Sequence, residues 1–122
     1  MQVGITVSAA ENDDRTAELT RELLRDIRSD ADPRAYLPTK NASPGSKGDL
    51  AILGQIALAL VSGGAVTKFV QAIFGFLGRH RKLEIEVQNP AGKKLKLKWD
   101  YIDRNGEDKA IALVERFLTK ST

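Results

Sequence analysis

Residues 50 to 78, LAILGQIALALVSGGAVTKFVQAIFGFLG, carry a single formally charged side chain, Lys68. The chain on either side is rich in Lys, Arg, Asp and Glu, so this stretch decides what the rest must cover. Gly63 and Gly64 divide it into two runs of helical length, which predicts a helix, a sharp turn and a second helix. Each half is shorter than the roughly 20 apolar residues that a bilayer-spanning helix needs. Unbroken, the whole stretch is long enough, but Gln55, Lys68 and Gln71 are costly in hydrocarbon without partners. A buried or oligomer-forming helical hairpin is therefore the first expectation, and membrane insertion is its alternative.

In the first run, Leu50, Leu53, Ile56, Ala57, Leu60 and Val61 fit a helical stripe, with Ala51, Ile52, Leu58 and Ala59 filling much of the remaining circumference. A helix apolar nearly all round has to be covered on more than one side. One small sheet covers one side, so a second subunit or a membrane is expected on the other. Asp49 is a candidate cap for this run and Ser62 for the next. The second stripe is Val66, Phe69, Val70, Ile73, Phe74 and Leu77. Phe76 lies about 200° from Phe74 around a helix and adds a second apolar direction, toward a partner. Gly54, Ala57, Ala65, Ala72 and Gly75 permit close approach between helices.

The flanking sequence is more conventional. Val3, Ile5 and Val7 alternate in a first strand. Leu19, Leu23, Leu24 and Ile27 then recur at helical spacing, with Asn12 or Asp13 as cap and Asp32-Pro33 as stop. Tyr36 and Leu37 suit a short edge strand limited by Pro38. The loop ASPGSKG, residues 42 to 48, holds Gly45, Lys47 and Gly48, but its lysine precedes the last glycine and the phosphate-loop spacing is absent.

Arg79, His80, Arg81 and Lys82 close the apolar stretch, where positive charge suits a helix C-terminus and equally suits anionic lipid. KLEIEVQ and KKLKLKWDY then alternate strictly about Asn89-Pro90-Ala91-Gly92. Leu83, Ile85 and Val87 share one face with Leu95, Leu97 and Trp99, and the intervening Glu and Lys residues share the other. A turn at residues 103 to 106 leads to a last helix with Ala110, Ile111, Val114, Phe117 and Leu118 inside. The result is an α+β chain: one domain over residues 1 to 122, a small antiparallel or mixed sheet, flanking helices and the central apolar hairpin.

Bulk composition narrows the function classes. There is no cysteine and one histidine, so zinc–thiolate sites and Cys nucleophiles are excluded and His80 has no second ligand or base of its own kind. No catalytic, cofactor-binding or metal-binding residue is singled out, and a non-enzymatic role is expected. The start, MQVGITVSAAENDD, lacks the basic opening of a secretory leader. Cytoplasmic placement is expected, with membrane association on activation under the alternative reading. Residues 1 to 33 hold eight acids and four bases, a net of −4; residues 34 to 122 hold fifteen bases and eight acids, a net of +7. That basic surface suits acidic protein or anionic lipid. Nucleic acid is disfavoured, because the lysine-lined strand has no aromatic platform on its polar face.

The opening VGITV strand, the acidic-to-amphipathic helix and the block PGSKGDLAILGQIALALVSGGAVTKFVQAIFGFLGR together resemble the effector-associated constant component proteins. The KLEIEV–turn–KLKLKW hairpin and the terminal helix extend the likeness to nearly the whole chain. Pro44 to Ala65 is its most specific part. Lys47, and Phe69 with Phe74 and Phe76, depart from the family's usual residues. The resemblance implies an accessory component of prokaryotic conflict or immunity systems, encoded near proteases and nucleotide-dependent signalling proteins and acting by assembly or effector support. The candidate interaction residues are Phe69, Phe76, Arg79 and Arg81; the expected partners are a second copy, an effector protein or, in the alternative, an anionic membrane.

Overall fold

The alternation at the start of the chain forms β1, Gln2–Ser8, with Val3, Ile5 and Val7 buried. The computed structural model describes residues 1–9, 13–40, 50–51 and 54–119. In order, the elements are β1, α1 (Asp13–Asp30), β2 (Thr39–Lys40), β3 (Leu50–Ala51), β4 (Gln55–Ala59), α2 (Gly63–Arg79), β5 (Glu84–Gln88), β6 (Lys94–Lys98), α3 (Trp99–Asn105) and α4 (Glu107–Thr119). A four-stranded antiparallel sheet runs β4-β1-β5-β6, and β2 and β3 form a separate two-stranded ribbon. This is an α+β fold.

Residues 55 to 59 are a strand and not the first arm of a helical hairpin. Ile56, Leu58 and Leu60 are buried at a period of two, with Gln55, Ala57 and Ala59 between them half-buried. A short apolar run fits both periods, so its own pattern cannot choose. The choice is made by β1, whose backbone pairs β4 from Gln2–Ala59 to Thr6–Gln55. Gly54, just before the strand, sits at φ 78°, and its carbonyl accepts from the Val7 N–H at 2.7 Å. Of the expected caps, Ser62 is in place, its Oγ accepting from Ala65 N–H at 3.1 Å, while Asn12, Asp49 and the 42–48 loop lie outside the described residues.

The outer edge of β4 is closed within the chain. Tyr36 and Ala57 exchange backbone hydrogen bonds at 2.9 and 2.8 Å, so the expected edge strand shrinks to one bridge. Two residues further along, the Asp32 carboxylate accepts from the Ala59 N–H at 3.0 Å and from the Arg34 N–H at 2.9 Å. Asp32→Ala leaves both donors without this acceptor and is expected to cost about 1–3 kcal/mol, read by urea unfolding. Asp32→Asn, which keeps one acceptor oxygen, should lose less. Equal stability of wild type and Asp32→Ala would show that water or a neighbour serves these donors as well.

The described helices cover one face of the sheet. Their stripes meet Val3, Ile5, Val7, Ile56, Leu58, Ile85, Val87 and Leu97 in one core. Helix α2 lies between α1 and α4, and α3 also contacts it. Its apolar circumference is therefore covered from several sides within one chain. For α2, the helices on either side supply the cover that one sheet does not.

The β5–β6 hairpin follows the expected inner and outer faces up to Leu97. Its turn has Gly92 N–H donating to Asn89 O at 2.9 Å, and Gly92 sits at φ 85°. Asn89 is buried; its Oδ1 accepts from Lys93 N–H, and its Nδ2 donates to Phe117 O at the end of α4. The alternation does not continue to Trp99 as expected. Lys98 is the extended N-cap of α3, and Trp99 opens that helix, half-buried against Gly78 and under the Arg81 guanidinium. Residues 103 to 105 belong to α3 as well, so the final turn is reduced to Gly106 at φ 87°.

Candidate functional site

The four candidate interaction residues do not form one surface. Phe69 is fully buried and Phe76 is 1% exposed, so both belong to the core. The expectation that Phe76 projects toward a partner is corrected: its second apolar direction is occupied by α1. Two polar contacts with α1 bracket it there. Arg79 pairs with Asp26, and His80 Nε2 lies 3.6 Å from the Glu22 carboxylate. The Arg79 guanidinium carbon is 5.5 Å from the Phe76 ring centroid, and the His80 ring is 4.6 Å away by centroids. Arg79 and His80 thus roof an internal side chain, and an exposed ion pair of this kind contributes little stability by itself.

Arg81 points elsewhere. Its guanidinium lies 5.0 Å above the Trp99 ring, a cation–π contact that ties the end of α2 to α3. With Arg15, His80 and Lys82 it also borders a cleft of about 310 Å³ between the start of α1 and the segment joining α2 to β5, closed below by Leu19 and Leu83. The basic run therefore splits: Arg79 serves the α1–α2 joint, and Arg81 and Lys82 face the other end. His80 is the C-cap of α2, donating its backbone N–H to Phe76 O at 3.0 Å, which accounts for it as a helix-end residue.

The accessible chemistry lies on the sheet face turned away from the helices. Across that face run Gln55, Ala57 and Ala59 of β4, then Gly4 and Thr6 of β1, then Glu84 and Glu86 of β5, then Lys94, Lys96 and Lys98 of β6. All are half-buried or exposed. The β5–β6 register puts Lys98 opposite Glu84 and Lys96 opposite Glu86, and the ion pairs run diagonally as well as across. Lys94 reaches Glu86 at 3.8 Å, while Lys96 and Lys98 reach Glu84 at 3.6 and 3.8 Å. Three cations on two anions leave the β6 side positive.

Beside this edge lies a groove of about 480 Å³, bordered by Glu84, Lys96 and Lys98 of the sheet and by Asp100, Tyr101 and Arg104 of α3. Tyr101 is 38% exposed there and gives the groove an aromatic wall. The α3 helix that builds this wall was read as the end of a strand, so the groove is not visible in the alternation of residues 94 to 101. The signal that points to it is the loss of apolar residues in the inward phase after Trp99.

Among the described residues no group of three or more His, Asp or Glu converges in a manner that could hold a metal ion, and no helix is long and apolar enough to cross a membrane. No curated protein and no solved structure shows significant similarity to the chain. One family model, described as Effector Associated Constant Component 1, matches residues 11–118.

Proposed function

From its membership of the Effector Associated Constant Component 1 family, to which the chain belongs, we propose a non-catalytic accessory protein of a prokaryotic conflict system that binds an effector protein. The cytoplasm is its proposed place of action. The observation that carries this reading is the one-sided sheet. Its helical face holds the apolar core, and its other face presents ordered bands of small, acidic and basic side chains. A scaffold of that kind offers specificity by charge placement and strand geometry without needing a reacting group.

Two features of the chain support binding over catalysis. His80, the only histidine, is engaged as a helix cap between Phe76 and Glu22. The carboxylates of the open face, Glu84 and Glu86, are engaged with lysines. Membrane action through an apolar hairpin loses its main element, because residues 55 to 59 are a sheet strand and the α2 stripe lies inside.

Sedimentation of the purified chain with the effector encoded beside it should give a complex larger than either protein alone. Anionic liposomes should float without the chain, and Arg79→Ala/Arg81→Ala should leave the complex intact. Flotation with liposomes that the double substitution abolishes, together with no complex, would replace this proposal with the membrane one.

A further inference from the structure

The two edges of the main sheet are treated differently by the fold. The β4 edge is occupied by Tyr36 and Asp32. At the other edge, the hydrogen-bond phase of β6 follows from its turn. Asn89 N–H donates to Lys93 O at 2.9 Å, so residues 89 and 93 form a hydrogen-bonded pair. Antiparallel ladders alternate such pairs with non-bonded ones, which makes Val87–Leu95 and Ile85–Leu97 the next bonded pairs. Lys94 and Lys96 consequently turn their backbone N–H and C=O groups away from β5, and Lys98 its N–H, toward an edge that no other described strand pairs, while the Lys98 C=O begins α3. The same phase carries through the sheet, where Val7 N–H reaches Gly54 O on the far side of β1.

We infer that β6 is a docking edge that accepts an extended, acidic segment of a partner protein as a fifth strand. The inference rests on the effector-binding reading above and names the surface and the chemistry it uses. Main-chain bonds from residues 94, 96 and 98 supply the pairing, as in other strand-addition interfaces. The three lysine side chains remain 59 to 69% exposed in spite of their contacts with Glu84 and Glu86. They select the charge of the incoming strand, since opposite charges in register stabilise a cross-strand pair and like charges oppose it. A second copy of the chain, pairing β6 to β6, would set lysine against lysine. Tyr101 and Arg104 wall the adjoining groove and hold the end of the added segment over α3.

The test uses the full chain, ¹⁵N-labelled, with the capped peptide TEVEVET as probe and TKVKVKT as its control. The acidic peptide should shift the amide signals of Lys94, Lys96 and Lys98 and slow their exchange, and added salt should weaken it. Lys96→Pro removes an outward N–H without removing a bond to β5. It should weaken the peptide, and the effector complex, by roughly tenfold. Should that variant fail to fold, Lys94→Glu/Lys98→Glu serves instead, and should exchange the acidic preference for the lysine peptide. Equal binding of both peptides, or shifts confined to other elements, overturns the inference. So does a dimer of the chain that Lys96→Pro disperses. An effector complex that forms and is indifferent to both variants overturns the docking edge alone; absence of any effector complex removes the broader reading.

Discussion

Phe76→Ser is expected to lower stability by about 3–5 kcal/mol, the range for truncating a buried aromatic side chain. The ring is 1% exposed, enclosed between α2 and α1 beneath Arg79 and His80. Serine removes nearly all of its contacts and brings a hydroxyl into the space they leave. Phe74→Ser should cost a similar amount, because Phe74 is 2% exposed on another side of the same helix. Phe76→Leu, which keeps most of the apolar volume, should retain most of the stability. Urea unfolding with an unchanged slope is the measurement. A Phe76→Ser protein as stable as wild type, yet unable to form its complex, would return this side chain to a partner surface.

The reversal at Phe76 shows where sequence reasoning stopped. Val66, Phe69, Val70, Ile73, Phe74 and Leu77 state one buried face of α2 through their spacing alone, and all six are buried. A second apolar direction states only that something covers it. The sequence of α1 offers Leu19, Leu23, Leu24 and Ile27 as a stripe, but nothing in that stripe says whether it meets the sheet, α2 or both. Helix-to-helix placement depends on loop lengths and on the whole core, so the cover was assigned to another molecule. Gln55–Ala59 failed for a different reason. Its five residues satisfy a period of two and of 3.6 together, and only the register with β1 separates them. The β5–β6 hairpin was legible because charge and apolar residues alternate there, which a helix cannot accommodate on one face. What could not be read from that pattern is that β6 lies at an edge, since strand order is a property of the assembled sheet.

Gly54→Ala is the second substitution expected to be severe, at about 3 kcal/mol or more. Two costs combine. Gly54 sits at φ 78°, where an L residue with a Cβ is disfavoured by about 1–2 kcal/mol. An added Cβ would also stand 2.5 Å from the Val7 carbonyl oxygen, well inside contact distance, and 3.4 Å from Thr16 Cγ2. Retreat is expensive, because Gly54 O accepts the Val7 N–H at 2.7 Å and this bond begins the β1–β4 ladder. Gly92→Ala separates the two costs: Gly92 has φ 85° and only the end of the Gln88 side chain, at 3.9 Å, near an added Cβ, so it should lose only the conformational part. If both alanine variants lose the same stability, the Val7 contact contributes nothing and β4 is free to shift. If Gly54→Ala loses more, the excess should appear as faster amide exchange at Ala57, whose N–H bonds to Tyr36, and at Ala59, whose N–H bonds to Asp32. Those two bonds close the β4 edge, and loosening them exposes a second edge on the sheet. Peptide capture at β6, three strands away, should be unchanged in the same protein, which makes Gly54→Ala a control for whether docking belongs to one edge or to any edge that opens.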